Sequence, residues 1–91
     1  MIPPARLREL RNRIPIERVL AELGVPTKHR EGYLRFLCPI CQEFRTATNP
    51  RTNLGRCFRC ARNFNPIDLV RIVEGGSFLE AVAYLEPLLG E

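Results

Sequence analysis

The chain has 91 residues, 45% of them apolar and 26% charged, with a formal net charge of +4, which fits one modest soluble domain. No apolar run approaches the ~20 residues of a membrane span, and MIPPARLRELRNR at the N-terminus lacks the apolar stretch of a secretory signal. The expectation is therefore a cytoplasmic protein, away from membranes, in which thiols stay reduced and paired cysteines serve as metal ligands more often than as disulfides.

In chain order, Pro3 and Pro4 precede Leu7, Leu10 and Ile14, whose spacing predicts a short amphipathic helix. Pro15 suits the first turn of a second helix, in which Ile16, Val19, Leu20 and Leu23 share a face and Gly24 is the stop. These helices, about residues 5–24, read as packing support. The polar stretch TKHRE, with the single histidine His29, reads as a solvated loop. GYLRFL alternates and is aromatic-rich, which predicts a strand running into Cys38; QEFRTAT and NLGRCF predict two more, with NPRTN as the turn between them. Asn65 and Pro66 are suited to start a helix. Its Ile67, Val70 and Val73 are expected inward, with Leu69 and Ile72 partly buried, as far as Gly75-Gly76. Ser77 and Glu80 form a capping box for a last helix with the stripe Phe78, Ala81, Val82 and Leu85, which ends before Pro87 and leaves residues 88–91 frayed. The fold class is thus small α+β: a single domain, 1–91, with a three-stranded antiparallel sheet over about 32–62 between helices at about 5–24 and 66–86.

All four cysteines lie in that middle segment as two C-x-x-C pairs, Cys38/Cys41 and Cys57/Cys60, with fifteen residues between them. A C-x-x-C turn presents two sulfurs on one side of a tight loop, and two such turns complete a tetrahedral shell. The spacing is that of a zinc site, and soft thiolates favour zinc over hard cations; iron suits four thiolates as well. The reading is one structural Zn2+, and the sheet around it a zinc ribbon. With all four positions filled by protein, no ligand position is left for a catalytic water. The sequence also has no Ser/His/Asp set, phosphate-binding glycine loop or HExxH, so a non-catalytic protein is expected.

Charge is unevenly spread. Residues 28–62 carry eight basic residues against two acidic, and residues 63–91 one against five. Thirteen of the fourteen basic residues are Arg, whose planar fork matches phosphate and stacks on bases. A basic segment of this kind is either a solubility device or a surface facing a polyanion. Arg35, Arg45, Arg51, Arg56, Arg59 and Arg62 are the candidate phosphate contacts. Arg59, inside the second cysteine turn, could equally offset thiolate charge. Among the interleaved aromatics, Phe36, Phe58 and Phe64 read as core, and Tyr33 and Phe44 are the candidates for stacking on single-stranded bases.

The succession LRELRNRIPIERVLAELG, EGYLRFLCPIC, GRCFRC and PIDLVRIVEGGSFLEAVAYL resembles the N-terminal zinc-binding domain of bacterial DnaG-type primases, over roughly residues 2–85. The resemblance is most specific in the strand entering CP-x-C, in C-F-x-C, and in the Gly76, Ser77, Phe78, Glu80, Ala81 and Leu85 tail. It implies a zinc ribbon that captures single-stranded DNA template for primer initiation, with a primase polymerase core or a replicative helicase as partner. Two departures stand out. The family's second ligand is usually His where this chain has Cys41, and its glycine-rich link after the last ligand is ARNFNP here. The polymerase core and its metal-binding carboxylates have no counterpart in this sequence. The contrasting expectation is a zinc-stabilised protein-interaction module of a phage or mobile-element protein, its basic face docked on an acidic partner.

Overall fold

The computed structural model describes residues 2–89. Its order is α1 (Pro4–Asn12), α2 (Ile16–Glu22), β1 (Thr27–Arg30), β2 (Tyr33–Phe36), β3 (Thr46–Asn49), β4 (Leu54–Cys57), β5 (Arg62–Phe64), α3 (Pro66–Glu74) and α4 (Phe78–Leu89). This is a small α+β architecture of four helices and two antiparallel sheets, β1-β2 and β3-β4-β5. None of the helices is long and apolar enough to cross a membrane among the described residues.

The strands differ from expectation in number and pairing. TKHR forms β1 rather than a loop, laddered to β2 with Lys28 opposite Arg35 and Arg30 opposite Tyr33. Its four residues are all exposed, so it buries no apolar face and carries no hydrophobic alternation to announce it. Phe44 and Arg45 lie ahead of β3, which starts at Thr46. The third strand of the larger sheet is β5, whose three residues are too few to show a period.

β2 still lies alongside β3, but side chains join them. The Phe36 N–H donates to Thr46 Oγ1 at 2.8 Å, and the Thr46 hydroxyl donates to the Phe36 carbonyl. Thr48 Oγ1 donates to the Leu34 carbonyl at 3.1 Å. Both threonines are buried, where unpaired backbone groups are costly. Their hydroxyls thus stand in for a backbone ladder and hold the two sheets edge to edge.

The helices cover the inner face of this layer. Leu10, Ile14, Ile16, Val19 and Leu20 from the N-terminal arm meet Leu34 and Phe36 of β2, Phe64 of β5, and Leu69, Val70, Val82 and Leu85 of the C-terminal arm. Phe36 and Phe64 make an edge-on pair, centroids 6.2 Å apart, a favourable aromatic geometry. Gly55 on β4 leaves room for it: a Cβ there would lie 2.7 Å from Phe36.

The helix ends follow their caps. Asn65 accepts from the Asp68 N–H at 2.8 Å while Asp68 accepts from the Asn65 N–H at 3.1 Å. The Ser77 and Glu80 pair is reciprocal in the same way. Gly24 and Gly75, both at positive φ, end α2 and α3. Ile67 and Val70 are buried and Ile72 half-buried, as expected, but Leu69 is fully buried as well and Val73 only half-buried, because α3 is enclosed by α4 on one side and by α1 and α2 on the other. Phe78 is exposed rather than in the stripe of α4. That helix continues past Pro87 because Leu88 and Leu89 pack against the core. Of the tail expected to fray, residues 90 and 91 lie outside the described residues.

One side chain ties the N-terminal arm to the β3–β4 turn. Asn53 accepts at Oδ1 from the Ile16 N–H (2.8 Å) and donates through Nδ2 to the carbonyls of Arg11 (2.6 Å) and Ile14 (2.7 Å). It sits at φ 56°, a left-handed conformation that asparagine tolerates better than most residues.

Candidate metal centre and basic face

β2 leads into Cys38, and β4 ends on Cys57. The two C-x-x-C turns therefore emerge together, and the four Sγ atoms lie within 4.8 Å of one another. Cys38 and Cys57 are buried, Cys41 and Cys60 half-buried, and all four are free thiols. The separations Cys38–Cys60 and Cys41–Cys57 are 3.9 and 3.6 Å. A tetrahedron with metal–sulfur bonds of about 2.3 Å has edges of about 3.8 Å, which these two separations match. Four cysteines so placed can hold a metal ion.

The backbone is arranged for thiolates. The Ile40 N–H points at Cys38 Sγ and the Cys60 N–H at Cys57 Sγ, each at 3.4 Å. In both turns the residue after the second cysteine, Gln42 or Ala61, takes positive φ (59° and 53°). Ala61 takes this left-handed conformation, which glycine adopts freely, at a steric cost. Burial pushes the Cys41 thiol up from its ordinary value. It also raises Cys60, up to about 12, with the neighbouring thiols adding to the effect. At Cys57 burial acts in the same direction, but the Cys60 N–H and the adjacent thiols outweigh it and bring that thiol down to about 7. Sulfurs this close do not all ionise without a cation; a bound metal resolves the conflict.

The outer face of the strands carries the polar chemistry. Tyr33 and Arg35 of β2 point outward, as do Leu54 and Arg56 of β4 and Asn63 of β5. With Phe58 they border an open groove of about 620 Å³. Tyr33 is 54% and Phe58 60% exposed, and the Arg56 guanidinium lies 5.9 Å from the Phe58 ring centroid while donating to Asn63 Oδ1 at 3.1 Å. Arg35 is held in place by donation to the Thr46 carbonyl (3.0 Å) and by Glu31 (3.4 Å).

The other candidate residues are dispersed. Arg45, 3.6 Å from Glu43, borders a second cavity of about 510 Å³ that shares Arg35 with the groove. Phe44 is half-buried there beneath the Lys28 ammonium, 4.2 Å from its ring centroid. Arg59 is bound to Glu43 at 3.2 and 3.3 Å. Arg62 lies over the Phe64 ring at 5.5 Å, in a separate hollow with Asp68 and Arg71. Arg51 is exposed in the β3–β4 turn and borders neither cavity. Phe58, read from its apolarity as core, is instead the most exposed aromatic ring. Its position between Cys57 and Cys60 was the available clue, since a side chain between two cysteines that turn inward is left facing outward. Asn63 carried no signal. Compared with known proteins, the chain is matched by no family model and by no curated protein.

Proposed function

We propose that the chain is a zinc-ribbon module that binds single-stranded DNA and that it works as the zinc-binding domain of a DnaG-type primase does, capturing template for primer initiation. The observation that carries this reading is the groove on the outer face. It combines two exposed rings, Tyr33 and Phe58, with Arg35 and Arg56 on a layer stiffened by the four-cysteine cluster. Stacking on aromatic rings holds bases without regard to their identity, at about 1–3 kcal/mol per base, and guanidinium groups hold the backbone. The metal's part is structural: it fixes the turn that presents Phe58 and the exit of β2 that orients Arg35. The sequence resemblance adds the template role and a partner, a primase polymerase core or a replicative helicase. No reaction is assigned to these 91 residues themselves.

The test is fluorescence anisotropy with a short labelled single-stranded DNA at two salt concentrations. Affinity is expected to fall steeply with salt, and Tyr33→Ala and Phe58→Ala each to weaken binding with zinc content unchanged. No binding, or binding indifferent to salt, refutes the reading.

A second reading, a protein-interaction module, is favoured by a different observation. Leu23, Val25, Leu37, Pro39, Ile72 and Val73 border a groove of about 260 Å³ that no charged side chain lines. Capture of a defined protein partner by a chain that fails to bind DNA is the result that would select it.

A further inference from the structure

β1 places two cations where the proposed function needs phosphate contacts, although none of the candidate residues came from that strand. In an antiparallel ladder, residues directly opposite share a face. Lys28 lies opposite Arg35 and Arg30 opposite Tyr33, so these four side chains stand on one side of the β1–β2 ribbon while Leu34 and Phe36 go to the core. That side is continuous with the groove. Arg35 borders both the groove and the neighbouring cavity, which Lys28, Arg30 and Arg45 also line.

The arrangement costs the fold something. Like charges directly opposite on a strand pair are destabilising, and Lys28 faces Arg35. The two carboxylates at the cavity are already engaged, Glu31 with Arg35 and Glu43 with Arg45 and Arg59. Arg30 has no ion pair among the described residues, and Lys28 rests on the Phe44 ring rather than on an acid. The Phe44 ring and the Glu31 carboxylate offset the like-charge pair only in part, one carboxylate against the three cations Lys28, Arg30 and Arg35, and the remaining positive charge points to an anion from outside the fold.

We infer that this cavity is a phosphate site: Lys28 and Arg30 hold the sugar–phosphate backbone of the strand whose bases stack in the groove of Tyr33 and Phe58. Arg35, fixed by Thr46 and Glu31, is where the strand passes from one to the other. The ligand chemistry is the phosphodiester alone, so this half of the surface is blind to sequence. The inference rests on the single-stranded DNA reading and adds to it two residues and a path.

The experiment compares the wild-type protein with Lys28→Gln/Arg30→Gln and with the charge-preserving Lys28→Arg/Arg30→Lys, in anisotropy titrations of labelled dT and dA oligonucleotides between 50 and 200 mM salt. Both positions are exposed, and circular dichroism with zinc content checks that each variant is folded. Loss of two phosphate contacts lowers the salt slope by about 1.4, so the wild-type advantage over the double Gln variant shrinks about sevenfold across that salt range. The loss is the same for dT and dA, and the charge-preserving variant matches wild type. If the wild type binds with a steep salt slope and the double Gln variant keeps it, the phosphate site is refuted while the groove stands. A loss that depends on the base also refutes it, since the two residues then read bases. Absence of DNA binding by the wild type overturns both.

Discussion

Removing the Asn53 amide should cost a large share of this domain's stability. The side chain makes three hydrogen bonds, to the Ile16 N–H and to the Arg11 and Ile14 carbonyls, at 2.6–2.8 Å in a buried position. Each is worth roughly 1 kcal/mol net, and a buried partner left unpaired costs more, so the bonds together account for about 3 kcal/mol. The backbone adds a separate contribution: at φ 56° an alanine pays about 1 kcal/mol that glycine does not. Asn53→Gly is therefore expected to lose about 3 kcal/mol and Asn53→Ala about 4, out of a total of about 5–15 for a domain of ordinary stability. Asn53→Asp is the informative variant. It keeps the acceptor for Ile16 but turns a carboxylate oxygen toward two carbonyls, so it should be worse than alanine despite its near-identical shape. Urea melts of zinc-saturated protein measure all three, with shifted midpoints and similar slopes. An Asp variant as stable as wild type, or an Ala loss under about 1 kcal/mol, would show that the clamp does not hold the helical arm to the turn.

Cys57→Ser should abolish stoichiometric zinc binding and melt the strands, because metal binding supplies folding energy of about 10 kcal/mol in small zinc modules; elemental analysis and circular dichroism read both, and an unchanged melt after chelation would remove the structural role. Ala61→Gly should stabilise by about 0.5–1 kcal/mol in the same urea assay, since φ 53° suits glycine; a loss of stability would mean that the methyl makes contacts which outweigh the strain. Glu80 is held below the usual carboxylate range by bonds from the Ser77 backbone and side chain. Its contribution to α4 is thus complete above the unfolded carboxylate pKa of about 4.3 and is lost as pH falls through the lower folded value. Glu80→Gln should flatten that part of the acid stability profile measured on the metal-loaded protein, and an unchanged profile would exclude the linkage.

The sequence by itself determined what local chemistry dictates. Two cysteine pairs at metal-site spacing, Asn65-Pro66, Ser77 with Glu80, and Gly24 and Gly75 each act within a few residues, so the turns, caps and stops they encode were legible. The apolar stripes of α1 and α2 were legible too, because an amphipathic helix shows its buried face in its period. Tertiary structure alone decided the rest. β1 buries nothing and so has no pattern, and its existence depends on β2 offering a ladder. β2 and β3 are joined through the hydroxyls of Thr46 and Thr48, which no backbone propensity reveals. Asn53 reaches the α1–α2 connection across about 40 positions of chain, and a lone asparagine beside a proline-containing turn reads as turn composition. The basic face follows the same division. The abundance of arginine was plain, but which guanidinium faces a groove and which faces a glutamate is a matter of strand register. Register places Arg35 and Arg56 on the face of Tyr33 and sends Arg62 to a different surface, because side chains alternate along each strand and only cross-strand pairing says what stands opposite. Phe58, Arg59 and Glu43 lie outside the strands, where the path of the two cysteine turns brings Phe58 to the groove and Arg59 to Glu43.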